Sequence, residues 1–145
     1  MTSRFDSDWE CQQSARFSAP LSDYGLGHDH VAAARAIYSA RRQRDFHFRN
    51  SDLFADPAWD MMLALLIDCA DGRATSISSA CIASYVPATT ALRWIDKMVT
   101  IGLLSREADP FDRRRSHLNL TREACEKLAL ALSTKPRLGG SRRVS

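Results

Sequence analysis

The stretch DPFDRRRSHLNLT, residues 109–121, decides how this chain is read. Two aspartates bracket a proline and a phenylalanine, three arginines follow in a row, and an apolar–polar alternation ends on a threonine. Adjacent like charges repel, so a run of arginines belongs on an exposed turn that meets something negative. On either side, LLSRE (103–107) and SHLNL (116–120) have the composition and alternation of short strands, with Leu118 and Leu120 facing inward. The connection between them, residues 108–115, is eight residues long, where a hairpin usually needs about two to five.

Upstream, PATTALRWIDKMVTIG spells a helix over 87–101 that opens on Pro87 and stops at Gly102. Ala91, Trp94, Ile95, Met98 and Ile101 fall on one side of it, which leaves Ala88, Thr89, Thr90, Arg93 and Lys97 outward, with Asp96 beside them. Before it, SSACIASY reads as a short helix capped by Ser78, joined through a tight connection at Tyr85–Val86. A short helix, a turn and a second helix with a small, hydroxyl-rich first turn make a helix-turn-helix pattern. After the strands, Thr121 caps a last amphipathic helix that packs Ala124, Leu128 and Leu132 inward.

The remaining helices supply a core. DPAWDMMLALLIDCADG carries a cap at Asp56, a first-turn Pro57, a stop at Gly72 and an apolar face of Trp59, Met62, Leu63, Leu66, Ile67 and Ala70. DHVAAARAIYSARRQRD reads as a helix capped by Asp29 with a stripe of Val31, Ala34, Ile37 and Tyr38, and FHFRNSDLF reads as an extended connection after it. Residues 1–27 mix Ser, Asp, Gln, Pro and Gly without periodicity and are read as a flexible arm; 28–133 form the folded domain and 134–145 a basic flexible tail.

Taken together, IGLLSREADPFDRRRSHLNLT (101–121) resembles the wing of MarR-type transcriptional regulators, in which a Gly-Leu, an Arg and a D-P-x-D-x-R stretch lead into x-L-T and the next helix. The resemblance runs over roughly residues 29–132 and implies a mainly α fold with a small β-hairpin wing, a winged helix-turn-helix. It implies a sequence-specific regulator of double-stranded DNA, a repressor, with helix 87–101 in the major groove and wing 108–115 in the minor groove. It places Arg114 at the wing tip that enters the minor groove, with Arg113 and Arg115 toward phosphates, while Asp109 and Asp112 shape the wing. It also implies a homodimer and a small-molecule effector that no residue here identifies. One helix follows the wing before KPRLGG breaks the pattern, so the 29–45 helix is the candidate dimer seam.

The chemistry of those residues agrees with the reading on its own terms. Small Ala88, Thr89 and Thr90 let a backbone approach DNA, and their hydroxyls and methyls suit phosphates, base edges and thymine methyls. Arg93 can reach guanine or a phosphate, or pair with Asp96 or Asp60, and Lys97 suits a phosphate. The charge is split: residues 1–86 hold 8 Lys/Arg against 11 Asp/Glu, and residues 87–145 hold 12 against 6. A basic half of this kind suits a polyanion. The alternative is a winged-helix protein-interaction module without specific DNA binding.

Other classes find little support. No nucleophile–base pairing, phosphate-cradling Gly-rich loop or metal-ligand spacing occurs, so the chain is read as a non-enzyme without cofactor or metal. Cys11, Cys69, Cys81 and Cys125 lie far apart and form no CxxC pair; they are read as inert, Cys69 and Cys81 as small core residues. No apolar run has membrane-spanning length and the first ten residues are polar, so the protein is read as cytoplasmic.

Overall fold

A computed structural model describes residues 20–49 and 53–133. Among the described residues five α-helices accompany a three-stranded antiparallel sheet: α1 (His28–Phe48), α2 (Pro57–Ala70), β1 (Thr75–Ser76), α3 (Ile77–Ala83), α4 (Ala88–Thr100), β2 (Leu104–Ala108), β3 (Ser116–Leu120) and α5 (Arg122–Ala131). The strand order is β1-β3-β2. The α3–α4 pair followed by the β2–β3 hairpin is a winged helix-turn-helix.

Local signals set most boundaries. The Asp56 carboxylate accepts from the Trp59 N–H at 3.4 Å, Pro57 occupies the first turn, and Gly72 leaves α2 in a left-handed conformation at φ 73°. Thr121 joins three elements. Its Oγ1 accepts from the Ala124 N–H at 3.2 Å to cap α5 and donates to the Gly102 carbonyl at 2.6 Å. Its N–H donates to the Leu103 carbonyl at 3.1 Å, which locks the end of α4 to the wing.

Several expectations change. The arm drawn at 1–27 ends earlier: Leu21–Tyr24 form a 3-10 helix, and Tyr24 and Leu26 are buried in the core. Arg122 lies over the Tyr24 ring, so this segment closes against α5. Helix α1 starts at His28 on Gly27, not on a cap at Asp29; the Gly27 N–H donates back to His30 Nδ1 at 3.1 Å. It also runs through Phe46–Phe48, read above as extended, because the Phe48 ring meets Phe54 edge-on and Arg44 reaches the Phe54 ring and carbonyl. Ser76, not Ser78, caps α3, accepting from the Ser79 N–H at 3.0 Å. Thr75–Ser76 form a strand because β3 pairs with them, Thr75 opposite Leu118 and Ser76 opposite His117. Residues 1–19, including Cys11, and the 134–145 tail lie outside the described residues.

The core gathers Leu63 and Leu66 from α2, Ile95 and Met98 from α4, Leu104 and Leu118 from the wing, and Leu128 from α5. Burying such side chains stabilises by roughly 1.5–3 kcal/mol each, which is the main driving force here. The α2 face is broader than its periodicity indicated, since Met61, Leu65 and Cys69 are also buried, while Trp59 and Ile67 pack at its margin. On α4, Ile101 is exposed, not inward, because the chain turns away after Thr100. Cys81 is half-buried beside the core that holds Cys69.

One carboxylate lies inside this apolar layer. Asp60 is 1% exposed and accepts from Arg41 Nε at 2.5 Å and Arg42 Nη2 at 2.8 Å. A buried charge is tolerated only when paired and hydrogen-bonded, and two guanidiniums from α1 meet that condition. Asp60 in turn raises the Arg41 pKa, chiefly through this hydrogen bond. Arg42 continues onward: Nη1 donates to the Ala83 carbonyl at 3.3 Å, and its guanidinium stacks 3.8 Å from the Tyr85 ring centroid. Tyr38 donates to the same Ala83 carbonyl at 3.0 Å. Tyr85 itself sits at φ 56°, the left-handed conformation that turns α3 into α4. Asp60 thus ties α1 to α2 and, through Arg42, to the helix-turn-helix corner.

Asp60→Ala removes the carboxylate partner of Arg41 and leaves Arg42 with Asp45 and the Ala83 carbonyl, and is expected to cost about 3 kcal/mol. Urea unfolding will show a lower midpoint with an unchanged slope; a midpoint within 0.5 M of the wild type, a rough threshold, contradicts this role.

Candidate nucleic-acid interface

Helix α4 presents its apolar side to the core through Ala91, Ile95 and Met98. Its helical period therefore turns Thr89, Arg93, Asp96, Lys97 and Thr100 outward. Ala88, Thr89, Thr90, Arg93 and Lys97 are all exposed. Pro87 precedes the helix and lacks an N–H, and no side chain caps the first turn, so its backbone donors stay open at the surface. Lys97 lies over the Trp94 ring at 5.2 Å from its centroid, which directs the ammonium along the helix while the ring packs at the core margin.

The acids near α4 are taken. Asp96 pairs with Arg106 of β2, and Asp60 is held by Arg41 and Arg42. Neither is left for Arg93, which makes no ion pair among the described residues. The Arg106–Asp96 pair is exposed and worth about 1 kcal/mol at most. Its consequence is geometric: because Asp96 is on the outward side of α4, the wing strand runs alongside that side.

Strands β2 and β3 pair from Leu104 opposite Leu120 to Ala108 opposite Ser116. The loop 109–115 closes with the Asp109 N–H donating to the Arg115 carbonyl and the Arg115 N–H to the Asp112 carbonyl, both at 3.0 Å. Two aspartates organise what lies between. Asp109 Oδ1 accepts from the N–H of Phe111 at 2.8 Å and of Asp112 at 3.3 Å, an Asx turn. Asp112 Oδ1 then accepts from the Arg114 N–H at 3.1 Å and Arg114 Nε at 3.3 Å. His117 Nε2 from β3 lies 3.2 Å from the second Asp109 oxygen. The carboxylates turn into the loop and the cations turn out: the Arg114 side chain is 93% exposed, and Arg113 makes no ion pair among the described residues. Arg115 stands 4.0 Å from Asp112 and, with Arg114 and Ser116, faces Ser76, Ile77 and Ser78 across a polar groove.

The residues singled out from sequence thus fall into two sets, Ala88–Lys97 on α4 and Asp109–Arg115 on the wing, with Arg106 and Asp96 linking them. Ser76 and His117 carry no signal in the sequence, while Arg106 stands there only as the arginine of the wing motif and Ser78 only as a cap. Arg106 stands directly opposite Leu118 on the hairpin, but its Asp96 partner is on a different element. A separate cleft of about 660 Å³ opens between Pro20–His28, α1 and the end of α2, floored by Leu21, Leu26 and Val31 and crossed by an Arg35–Asp71 ion pair of 2.5 Å. Among the described residues no group of three or more His, Cys, Asp or Glu is placed to hold a metal ion, and no helix is long and apolar enough to cross a membrane.

No protein-family model and no curated protein matches the chain. Solved structures with a partial likeness to it include heme-free PefR, at 16% identity and a TM-score of 0.41 over 68% of this chain and 90% of that one. A mutant MepR from a multidrug-resistant S. aureus clinical isolate has 14% identity and a TM-score of 0.46, covering 70% of this chain and 76% of that one. The transcriptional regulator Tm0710 from Thermotoga maritima has 22% identity and a TM-score of 0.41, covering 63% and 70%.

Two outcomes test this geometry. The Phe111 and Asp112 N–H groups, with His117 and Arg115 nearby, hold the Asp109 carboxyl below its ordinary value against the opposing effect of desolvation. A depressed carboxylate contributes to wing closure above the unfolded Asp range, near about 3.9, and that contribution is lost as pH falls through the lower folded value. An NMR titration of the Phe111 and Asp112 amides is expected to show its midpoint below that range; a midpoint at or above it contradicts the Asx turn. Separately, burial pushes the Cys125 thiol up to about 12, with Cys69 and Glu126 adding to the shift. Iodoacetamide at pH 8 will therefore modify Cys125 only once denaturant is present, as peptide mass mapping can check; adducts on the native protein would show the site to be open.

Proposed function

We propose that this chain is a sequence-specific, double-stranded DNA-binding transcriptional regulator of the cytoplasm. Helix α4 occupies the major groove and the 109–115 loop the adjacent minor groove. The observation that carries the reading is how the arginines divide. Arg35, Arg41, Arg42, Arg44 and Arg73, on α1 and beside α2, are each paired with an acid. On α4 and the wing tip, Arg93 and Arg113 have no acidic partner among the described residues, and neither does Arg49 at the end of α1. Arg114 reaches solvent almost fully although Asp112 steadies it, while Arg106 and Arg115 keep exposed pairs with Asp96 and Asp112. Unpaired guanidiniums at fixed positions on an exposed helix and a neighbouring hairpin favour a phosphate-lined ligand.

Within this reading Thr89 and Thr90 approach base edges and thymine methyls, Arg93 reaches guanine or phosphate, and Lys97 meets phosphate. Arg114 enters the narrow, electronegative minor groove while Arg113 and Arg115 reach the backbone. The wing motif's resemblance to MarR-type regulators supports repression as the sign of control and a homodimer as the working unit. Two copies would bind half-sites about 10 bp apart on a near-palindrome. Helix α1 is the proposed seam.

Fluorescence anisotropy on a random duplex pool across a salt series tests this. The wild type will lose affinity steeply with salt, and Arg113→Ala will flatten the log–log slope by about one, uniformly across sequences. Arg114→Ala will cost about 1–3 kcal/mol, concentrated on sites with A·T-rich flanks. Negligible binding at low salt would sink the DNA reading and turn the same surface toward a protein partner.

A further inference from the structure

We propose that Phe111 is a wedge that inserts between base pairs from the minor groove, so that the wing kinks its DNA as well as gripping it. This rests on the DNA-binding reading above and adds an apolar contact to a loop otherwise described by charge. Phe111 is 97% exposed, the most exposed of the large apolar side chains among the described residues. A phenylalanine so placed contributes nothing to the folded core. Its position is nonetheless built. Pro110 restricts the backbone before it, and the Asp109 carboxylate accepts from both the Phe111 N–H and the Asp112 N–H. The ring is held out on a closed turn and so meets a ligand with little ordering left to do.

Its surroundings point to the ligand. Residues 113–115 carry three guanidiniums, and the nearby acids, Asp109 and Asp112, are spent on the loop's own hydrogen bonds. The outer surface of the tip is thus one aromatic ring with cations beside it. Apolar wedges flanked by basic side chains unstack a base step and bend the duplex toward the major groove. Pyrimidine–purine steps such as TA unstack most readily, so the wedge selects such a step next to the bases read by α4. That selectivity comes from deformability, at a position where no hydrogen bond to a base edge is made.

The test uses full-length protein on duplexes that the wild type recovers from a random pool. Each duplex carries 2-aminopurine at successive adenines of the flank and a donor–acceptor dye pair at its ends. The wild type will raise 2-aminopurine fluorescence at one flanking step and shorten the end-to-end distance. Phe111→Leu will keep both effects. Phe111→Ala will lose both and weaken binding about fivefold or more, with the salt slope unchanged because no charge is removed. The ring packs against nothing, so the thermal midpoint of both variants will match the wild type. A Phe111→Ala protein with wild-type fluorescence, bend and affinity overturns the wedge and leaves DNA binding standing. A flat, negligible salt series for the wild type itself overturns both.

Discussion

The buried Asp60 carboxylate and the two arginines around it form the constraint on which the arrangement of this fold depends. A lone carboxylate among Met61, Leu63 and Leu66 would cost several kcal/mol, and Arg41 and Arg42 remove that cost only from one placement of α1 across α2. Replacing all three by apolar residues of similar volume can be neutral or stabilising in other proteins, so the net stability of the trio is not its main consequence. What it fixes is orientation. Arg42 also holds the Ala83 carbonyl and stacks on Tyr85, so the corner that aims α4 is referenced to α1. One guanidinium thereby links the candidate dimer-forming helix to the turn that precedes the candidate recognition helix.

The wing solves the opposite electrostatic problem. Three arginines in a row repel one another, and a hairpin loop of seven residues has few neighbours to order it. Asp109 and Asp112 supply the order from within, each accepting backbone N–H groups and leaving the guanidiniums outside. The pairing of Asp112 with Arg114 is exposed and contributes little to stability, yet it limits where a long side chain points before any ligand arrives. Arg106 and Asp96 then set that loop beside the outward side of α4. Rigid core pairs and adaptable surface pairs thus use the same residue types for different ends.

Much of the fold was legible in the chain because its signals are local. Asp56-Pro57 and Gly72 mark α2, Gly102 ends the α4 segment, and Thr121 starts α5, since caps and left-handed stops act within one turn. The loop between the strands could be recognised from its length and charge alone. What escaped is non-local. Thr75–Ser76 become a strand only because β3 is beside them, and Tyr24 and Leu26 look like isolated apolar residues in a polar arm until the folded core buries them. Phe46-His47-Phe48 alternates like a strand, but contacts across the following loop keep it helical. Asp60 resembles any charged position of a helix, because its partners lie 18 and 19 residues upstream. The outward residues of α4 follow from periodicity, whereas the freedom of Arg93 follows only once Asp96 and Asp60 are seen to be occupied.

In the proposed reading, the first turns of α4 and the 109–115 loop form one DNA-binding surface on a rigid support. Amide chemical-shift mapping of the labelled protein during titration with a selected duplex is the decisive experiment. The amides of 88–93 and 110–115 are expected to shift together with one apparent affinity, while those of α2 around Asp60 stay in place. Shifts confined to the wing, to neither region, or saturating at different DNA concentrations in the two would contradict that reading.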